Sequence, residues 1–317
     1  MSSIIVDNIV FEDLTPKVDK PSLARLIPTT VVPYAMSFEI KNGNAQLANA
    51  IRRTLSMELE ASIMEFDFKD FKCTDKFVLV DMIRNRFRLI PILQNTPLDV
   101  TFRLEVTNTT EDIINVTAAD IKGAKRLPAN QQFIICTLQP GTHIKIENIK
   151  ISRGYGYMFA GYALACNVVS LALDVVPPNA YTGEKGVPSS LANPKHHKIA
   201  FNSNGGMAGN DMILACCKNL IARFKAVLEL LPDVTHTGKT FALVIRGETD
   251  TVAALLTRTI YELNKDIPLV NYYNDAVIRL TTIRMITSDN NIDTVKKMIQ
   301  DAVAQIITQL GAISKFF

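Results

Sequence analysis

A strand-turn-helix block occurs twice in this chain, 205 positions apart. The first copy, Ser37 to Leu55, reads SFEIKNGNAQLANAIRRTL, and the second, Ala242 to Ile260, reads ALVIRGETDTVAALLTRTI. Superposed, Phe38 falls on Leu243, Ile40 on Ile245, Lys41 on Arg246, Leu47 on Val252 and Ala48 on Ala253. Arg53-Thr54-Leu55 then falls on Arg258-Thr259-Ile260. Residue class is kept where identity is lost, as happens when one fold is used twice and diverges. A repeat of this kind constrains the architecture ahead of any local assignment.

Within the first copy, Pro33 to Ile40 alternates as a strand does and closes on the turn Asn42-Gly43-Asn44. Asn44 is a good N-cap, and the stretch Ala45 to Leu59 contains neither Gly nor Pro. At about 100° per residue, Leu47, Ala48, Ile51, Leu55 and Leu59 form one apolar stripe. Arg53 projects nearly opposite that stripe and Arg52 lies on its flank. Each repeat is too small to cover its own stripe. The two stripes are therefore expected to pair within the chain, Leu47, Ile51 and Leu55 against Val252, Leu256 and Ile260. The helices 210–231, with Phe224 and Leu228, and 294–310, with Ile299 and Ile306, are expected to flank them.

Between the copies the chain changes character. Phe77 to Phe87 reads as a short helix, and Leu98 to Ile151 turns to period-2 alternation with Asn, Thr, Gly and Pro punctuation. Val100 to Val106 and Ile144 to Ile151 are its clearest strands. Ala163 to Val176 returns to strand character and is expected to rejoin the first sheet. The polar loop 177–198 comes next, then a long helix capped by Asn210, a linker at 233–240, a strand at 276–286, and a last helix stopped by Gly311. The fold class is α+β. The expected units are 1–95, an inserted β-rich domain at 96–162, 163–232, the linker 233–240 and a second module at 241–317.

Of the 317 residues, 48% are hydrophobic and 21% charged, as in ordinary folded proteins. A net charge of +3, with nine basic and nine acidic residues from Asp233 onward, argues against direct DNA binding, which needs clustered Lys and Arg. No basic n-region opens the chain and no apolar run approaches ~18 residues, so an intracellular protein is expected. Five cysteines at 73, 136, 166, 216 and 217 form no chelating pair and suit a reducing compartment.

Two glycine-containing loops offer a rival, a stand-alone nucleotide-binding enzyme. Gly154-Tyr155-Gly156 begins like a dinucleotide fingerprint, but the third glycine position is Phe159. Thr237-Gly238-Lys239-Thr240 ends like a phosphate-binding loop, but Asp233 stands where its first glycine belongs and a strand comes after it. His196-His197 has no Cys or acidic neighbour at ligand spacing. Cys216 and Cys217 are adjacent on a helix and diverge by ~100°, one expected buried and one peripheral. No nucleophile with a positioned base, paired carboxylates or metal cluster emerges, so no catalytic constellation is expected in this chain.

Both copies resemble the dimerisation module of the RNA polymerase α family, which comprises bacterial α, archaeal D and L, and the eukaryotic third and eleventh subunits. Asn44 to Leu55 looks like its LANALRRxL helix. Val80-Asp81 with Arg86-Phe87-Arg88-Leu89-Ile90-Pro91-Ile92 resembles its "D…HRLGLIPL" segment, with Asn85 in place of His and Arg88 in place of Gly. Val116 to Ile121, Leu138 to Ile144 and Arg153-Gly154-Tyr155-Gly156 are similar to motifs of its inserted domain. Gly247 to Arg258 resembles the "GEDHTLGNLLR" of the smaller partner, without the His.

The resemblance covers roughly 35–230 for the larger partner and 240–311 for the smaller, so two α-type dimerisation modules would lie in one chain, the first carrying the insert. Such a fusion is similar to those of large DNA viruses, which implies a viral source and action in the host cytoplasm or the virion. A cellular source would imply the nucleus. The resemblance further implies a non-catalytic assembly subunit for the largest and second-largest polymerase subunits, alongside small assembly subunits, with DNA met only through the complex and no homodimer. Arg53, with Arg52 and Arg86, would contact the second-largest subunit. The metal-binding cysteines of some larger partners are absent, so neither metal nor cofactor is expected.

Overall fold

The computed structural model describes residues 3–13, 34–94, 96–123, 133–174, 193–203, 205–275 and 277–317. In chain order, β1 (Ile5–Asp13) and β2 (Tyr34–Lys41) lead into α1 (Ala45–Arg53), which runs on into a π-helical turn, Thr54–Glu58. Next come β3 (Glu60–Glu65), β4 (Phe71–Cys73), α2 (Val80–Leu89), β5 (Phe102–Thr107), β6 (Ile114–Thr117), β7 (Ile121–Lys122), β8 (Ile134–Leu138) and β9 (His143–Tyr155). β10 (Ala165–Ala172), β11 (His196–Ser203) and α3 (Gly209–Glu229) come after these. The chain ends with β12 (Thr235–Thr237), β13 (Thr240–Arg246), α4 (Asp250–Leu263), β14 (Leu269–Asp275), β15 (Leu280–Ile286) and α5 (Ile292–Ser314).

Two antiparallel four-stranded sheets have matching strand orders, β1-β2-β11-β10 and β12-β13-β15-β14. Each is laid down as strand, strand, helix, strand, strand, helix, so β2 and β13 hold equivalent places, as do α1 and α4. The difference is that residues from β3 to β9 intervene after α1 in the first half. Alternation decides which strand face is inward: Met36, Phe38 and Ile40 on β2, and Phe241, Leu243 and Ile245 on β13, are all buried. The inward side of α1 is set from its first turn, where the Asn44 side chain accepts the Leu47 amide at 2.8 Å.

One hydrophobic core runs through both halves. It contains Phe38, Leu47, Ile51 and Phe224 together with Leu243, Leu256, Ile299 and Ile306. α1 packs on α4, and α3 on α5. At roughly 1.5–3 kcal/mol per fully buried Leu, Ile or Phe, this shared interior is the main force holding the halves together. A second core, built around Phe87, Leu104, Leu138 and Ile146, belongs to the intervening region and already includes Met64, Phe66 and Ile83. Its sheet runs β3-β9-β5-β7, with β4 also on β9; β6 and β8 form a separate two-stranded sheet.

Several elements differ from the sequence expectation. His196 and His197 lie in β11 rather than in a polar loop, because β11 is the strand that joins β2 to β10; residues 177–192 fall outside the described residues. The expected linker 233–240 is mostly the hairpin β12–β13. The last helix continues through Gly311, since the extra turn buries Ile313 and brings Phe317 edge-on to Phe38, with ring centroids 5.1 Å apart. α3 begins at Gly209 after Ala208 and has no side-chain cap, so Asn210 is inside the helix. Cys216 and Cys217 are both buried, because the α3 face packed on by α5 and α1 is wider than a single stripe. The strand at 276–286 is Leu280–Ile286, and the periodicity does not mark β14, with its polar sequence LVNYYND.

The polar junction between the halves as candidate functional site

The expected pairing residues are where burial can use them. Leu47, Ile51, Leu55, Val252, Leu256, Ile260, Phe224, Ile299 and Ile306 are at most 1% exposed, and Leu228 packs partly buried against the same core. Around this apolar contact the helix ends place a set of charges.

The π turn after α1 is the local device. It ends at Glu58, whose side chain is buried among polar partners. Glu58 there accepts from Thr54 Oγ1 at 3.2 Å, Thr251 Oγ1 at 2.7 Å and Arg223 Nη1 at 2.5 Å. Arg223, on α3, reaches with its other edge to Glu248, Nε to Oε1 at 2.8 Å and Nη2 to Oε2 at 2.5 Å. A single guanidinium thus bridges a carboxylate of each half, and all three side chains are 10–16% exposed. Burial alone would push the Glu58 carboxyl up, but the Arg223 charge and the hydrogen bonds outweigh it and hold the carboxyl below its usual range.

A second junction lies at the other end of α4. Glu262 accepts from Asn44 Nδ2 at 3.1 Å, Lys195 Nζ at 3.1 Å and Arg258 Nε at 3.0 Å. Arg258 also donates to Asn193 Oδ1 at 2.7 Å. Arg258 is therefore drawn into the contact between the halves.

Arg53 is 34% exposed; its Nε donates to Thr251 Oγ1 at 3.0 Å and its Nη2 lies 4.0 Å from Asp250 Oδ2. It bridges to the second half and keeps part of its guanidinium at the surface. Arg52 donates to Asn49 Oδ1 at 2.9 Å. Arg86, on α2, donates through Nη1 to the carbonyls of Ile134 and Ile135, at 3.2 and 3.1 Å, and so ties α2 to β8. The three arginines do not form one cluster through these contacts.

Sequence reading passes over Glu58, Arg223, Glu248, Lys195 and Glu262. One signal is present. Arg223 sits beside the apolar stripe of α3, with Asn219, Leu220, Ala226 and Val227 at its i±3 and i±4 positions, so its own helix gives it no acidic partner.

Neither glycine loop builds a nucleotide site. A Cβ on Gly154 would meet the Tyr162 ring at 2.7 Å, and one on Gly156 the Met57 backbone at 3.0 Å, so these glycines serve close packing. Gly238 occupies the left-handed region, φ 58°, in the β12–β13 turn. Among the described residues no group of three or more His, Cys, Asp or Glu could hold a metal ion. Burial pushes the thiols of Cys136 and Cys217 up to about 12, which leaves them unreactive.

The depressed Glu58 carboxyl makes a testable claim about acid stability. An unfolded glutamate titrates at about 4.3. Because the folded value is lower, ionised Glu58 contributes its full stability above the unfolded value and loses it as pH falls through the folded one. Urea midpoints followed downward from pH 6 should fall more steeply in the unaltered protein than in Glu58→Gln. Parallel curves would show that Glu58 is not held in this way.

No protein-family model matches the chain. Across most of its length the chain is similar to a class of viral RNA polymerase subunit. It is 25% identical over 308 residues, 86% of each chain, to the DNA-directed RNA polymerase RPB3-11 homolog of a South African tick isolate of African swine fever virus. To the protein of the same name from a Malawian tick isolate it is 25% identical over 313 residues, 88% of this chain and 87% of the relative.

Proposed function

We propose that this chain is a non-catalytic assembly subunit of a multisubunit DNA-directed RNA polymerase. In this reading it is two α-type dimerisation modules in one polypeptide, and the pair forms a platform for the second-largest and then the largest subunit, which carry nucleotidyl transfer. The observation that supports this most strongly is the pair of sheets with matching strand order sealed by α1, α3, α4 and α5 into one core. The similarity to viral polymerase subunits spans both halves and so supports the same reading. It acts inside the infected cell, with its polymerase, and meets DNA through that complex. The stand-alone nucleotide-binding reading has no support from the glycine loops, whose geometry is explained by packing and turn formation.

Arg53 is the residue proposed to contact the second-largest subunit, with Arg52 and Arg86 as secondary contacts. Its planar fork can use one edge on Thr251 and offer the other to a partner's carboxylate or carbonyls. Arg53→Ala should cost about 1 kcal/mol of folding stability through the lost bond to Thr251. It should weaken capture of the two large subunits by ~2 kcal/mol or more if the contact is a hot spot. Co-purification of those subunits with tagged full-length chain, alongside a melting curve of the same variant, measures both. Undiminished capture would remove Arg53 from the interface. Failure of the unaltered chain to bring down either large subunit would overturn the assembly reading.

A further inference from the structure

The contact between the halves is polarised in charge, and its apolar part is not. Position by position the two stripes are interchangeable, Leu47 for Val252, Ile51 for Leu256 and Leu55 for Ile260. Hydrophobic burial is non-directional, so it rewards a first half meeting another first half almost as well as a first half meeting a second half. The polar rim distinguishes the two cases.

From the first half come cations: Arg53 from α1, Arg223 from α3 and Lys195 from the segment before β11. From the second half come the carboxylates they meet: Asp250 at 4.0 Å, Glu248 at 2.5 Å and Glu262 at 3.1 Å. Among the described residues, the other charged groups tied into these pairs are Glu58, which shares Arg223 within the first half, and Arg258, which pairs with Glu262 on its own helix. By the repeat alignment, Glu248, Asp250 and Glu262 correspond to Gly43, Ala45 and Met57 in the first half. Two first halves brought together would therefore place Arg223 opposite Gly43 and the partly exposed Arg53 opposite Ala45, without counterparts of Glu248 and Asp250 across the contact. Leaving a charge desolvated without its partner is strongly unfavourable.

We infer that this charge polarity selects the pairing of unlike halves and disfavours the joining of first halves from different copies. The inference rests on reading the chain as two paired modules. It adds that the selection is carried by Arg223–Glu248, Lys195–Glu262 and Arg53–Asp250 rather than by the apolar stripes.

The test uses full-length chain carrying Arg223→Glu, Glu248→Arg, or both, with Glu248→Gln as the mild variant that removes a charge without reversing it. In the combined variant one guanidinium, now at position 248, again lies between two carboxylates. Light scattering over a hundredfold range of concentration gives the oligomeric state, and urea unfolding gives the midpoint. Each charge reversal should raise the dimer fraction at least tenfold and lower the midpoint, and Glu248→Gln should move both in the same direction by less. The combined variant should return to monomer and recover at least half of the lost midpoint. The inference is overturned if Glu248→Gln matches the unaltered chain in both readings. It is equally overturned if the two reversals add in the combined variant with no recovery. Should the unaltered chain itself be an obligate dimer, the paired-module reading fails first, which separates the two failures.

Discussion

Arg223→Ala should lower the free energy of unfolding by about 3–5 kcal/mol, the loss typical when one member of a buried ion pair is deleted. The guanidinium is the shared partner of Glu58 and Glu248, and its removal strands two carboxylates that are 10% and 15% exposed. Against a total stability of about 5–15 kcal/mol this is a large fraction. Arg223→Lys should do less damage but still clear damage, because an ammonium has no planar fork to hold one carboxylate along two donors while reaching a second. Urea unfolding of both variants at neutral pH is the measurement. A loss below about 1 kcal/mol for Arg223→Ala would mean that the junction behaves as a solvated surface pair.

Phe224→Ala should cost about 3–5 kcal/mol, the range for emptying a fully buried aromatic position. Its second consequence discriminates more sharply. Phe224 belongs to the interior that also contains Leu243, Leu256, Ile299 and Ile306 of the second half. Both halves should therefore be weakened together and unfold in one transition. Phe87→Ala, in the separate core of the intervening region, should leave that transition nearly in place while loosening β5, β8 and β9. Hydrogen exchange resolved along the chain would measure this. If Phe224→Ala leaves protection in α4 and β13 unchanged, the two halves are energetically independent and the single core is nominal.

Much of the scaffold can be read from the chain because it is local. Asn44 caps α1 as its position suggests, the apolar spacing marks the inner faces of α1, α3, α4 and α5, and alternation marks β2, β5 and β9. Patterns of this kind survive in sequence because each depends on residues within one or two turns or along one strand. Element ends are less legible. Gly311 reads as a stop, yet the last turn of α5 is held by tertiary burial of Ile313 and by the Phe317–Phe38 contact, which no local window contains. β14 has the polar sequence of a loop because it is an edge strand, and its hydrogen-bonding partner β15 defines it.

By itself, then, the sequence marked a strand-helix pattern that occurs twice, the apolar faces of the helices, and the β-rich character of the segment from β5 to β9. Only the tertiary structure decided what the charges do. Glu58, at the end of the π turn, meets Arg223 and Thr251, and Arg223 finds Glu248 only once α3 lies beside the loop before α4. His197 is buried because β11 lies between β2 and β10, although its sequence neighbours are polar. The physical reason is range. Periodicity records interactions along one element, whereas a polar contact between residues 25 to 198 positions apart leaves no periodic trace and exists only once packing has brought its members within hydrogen-bonding distance.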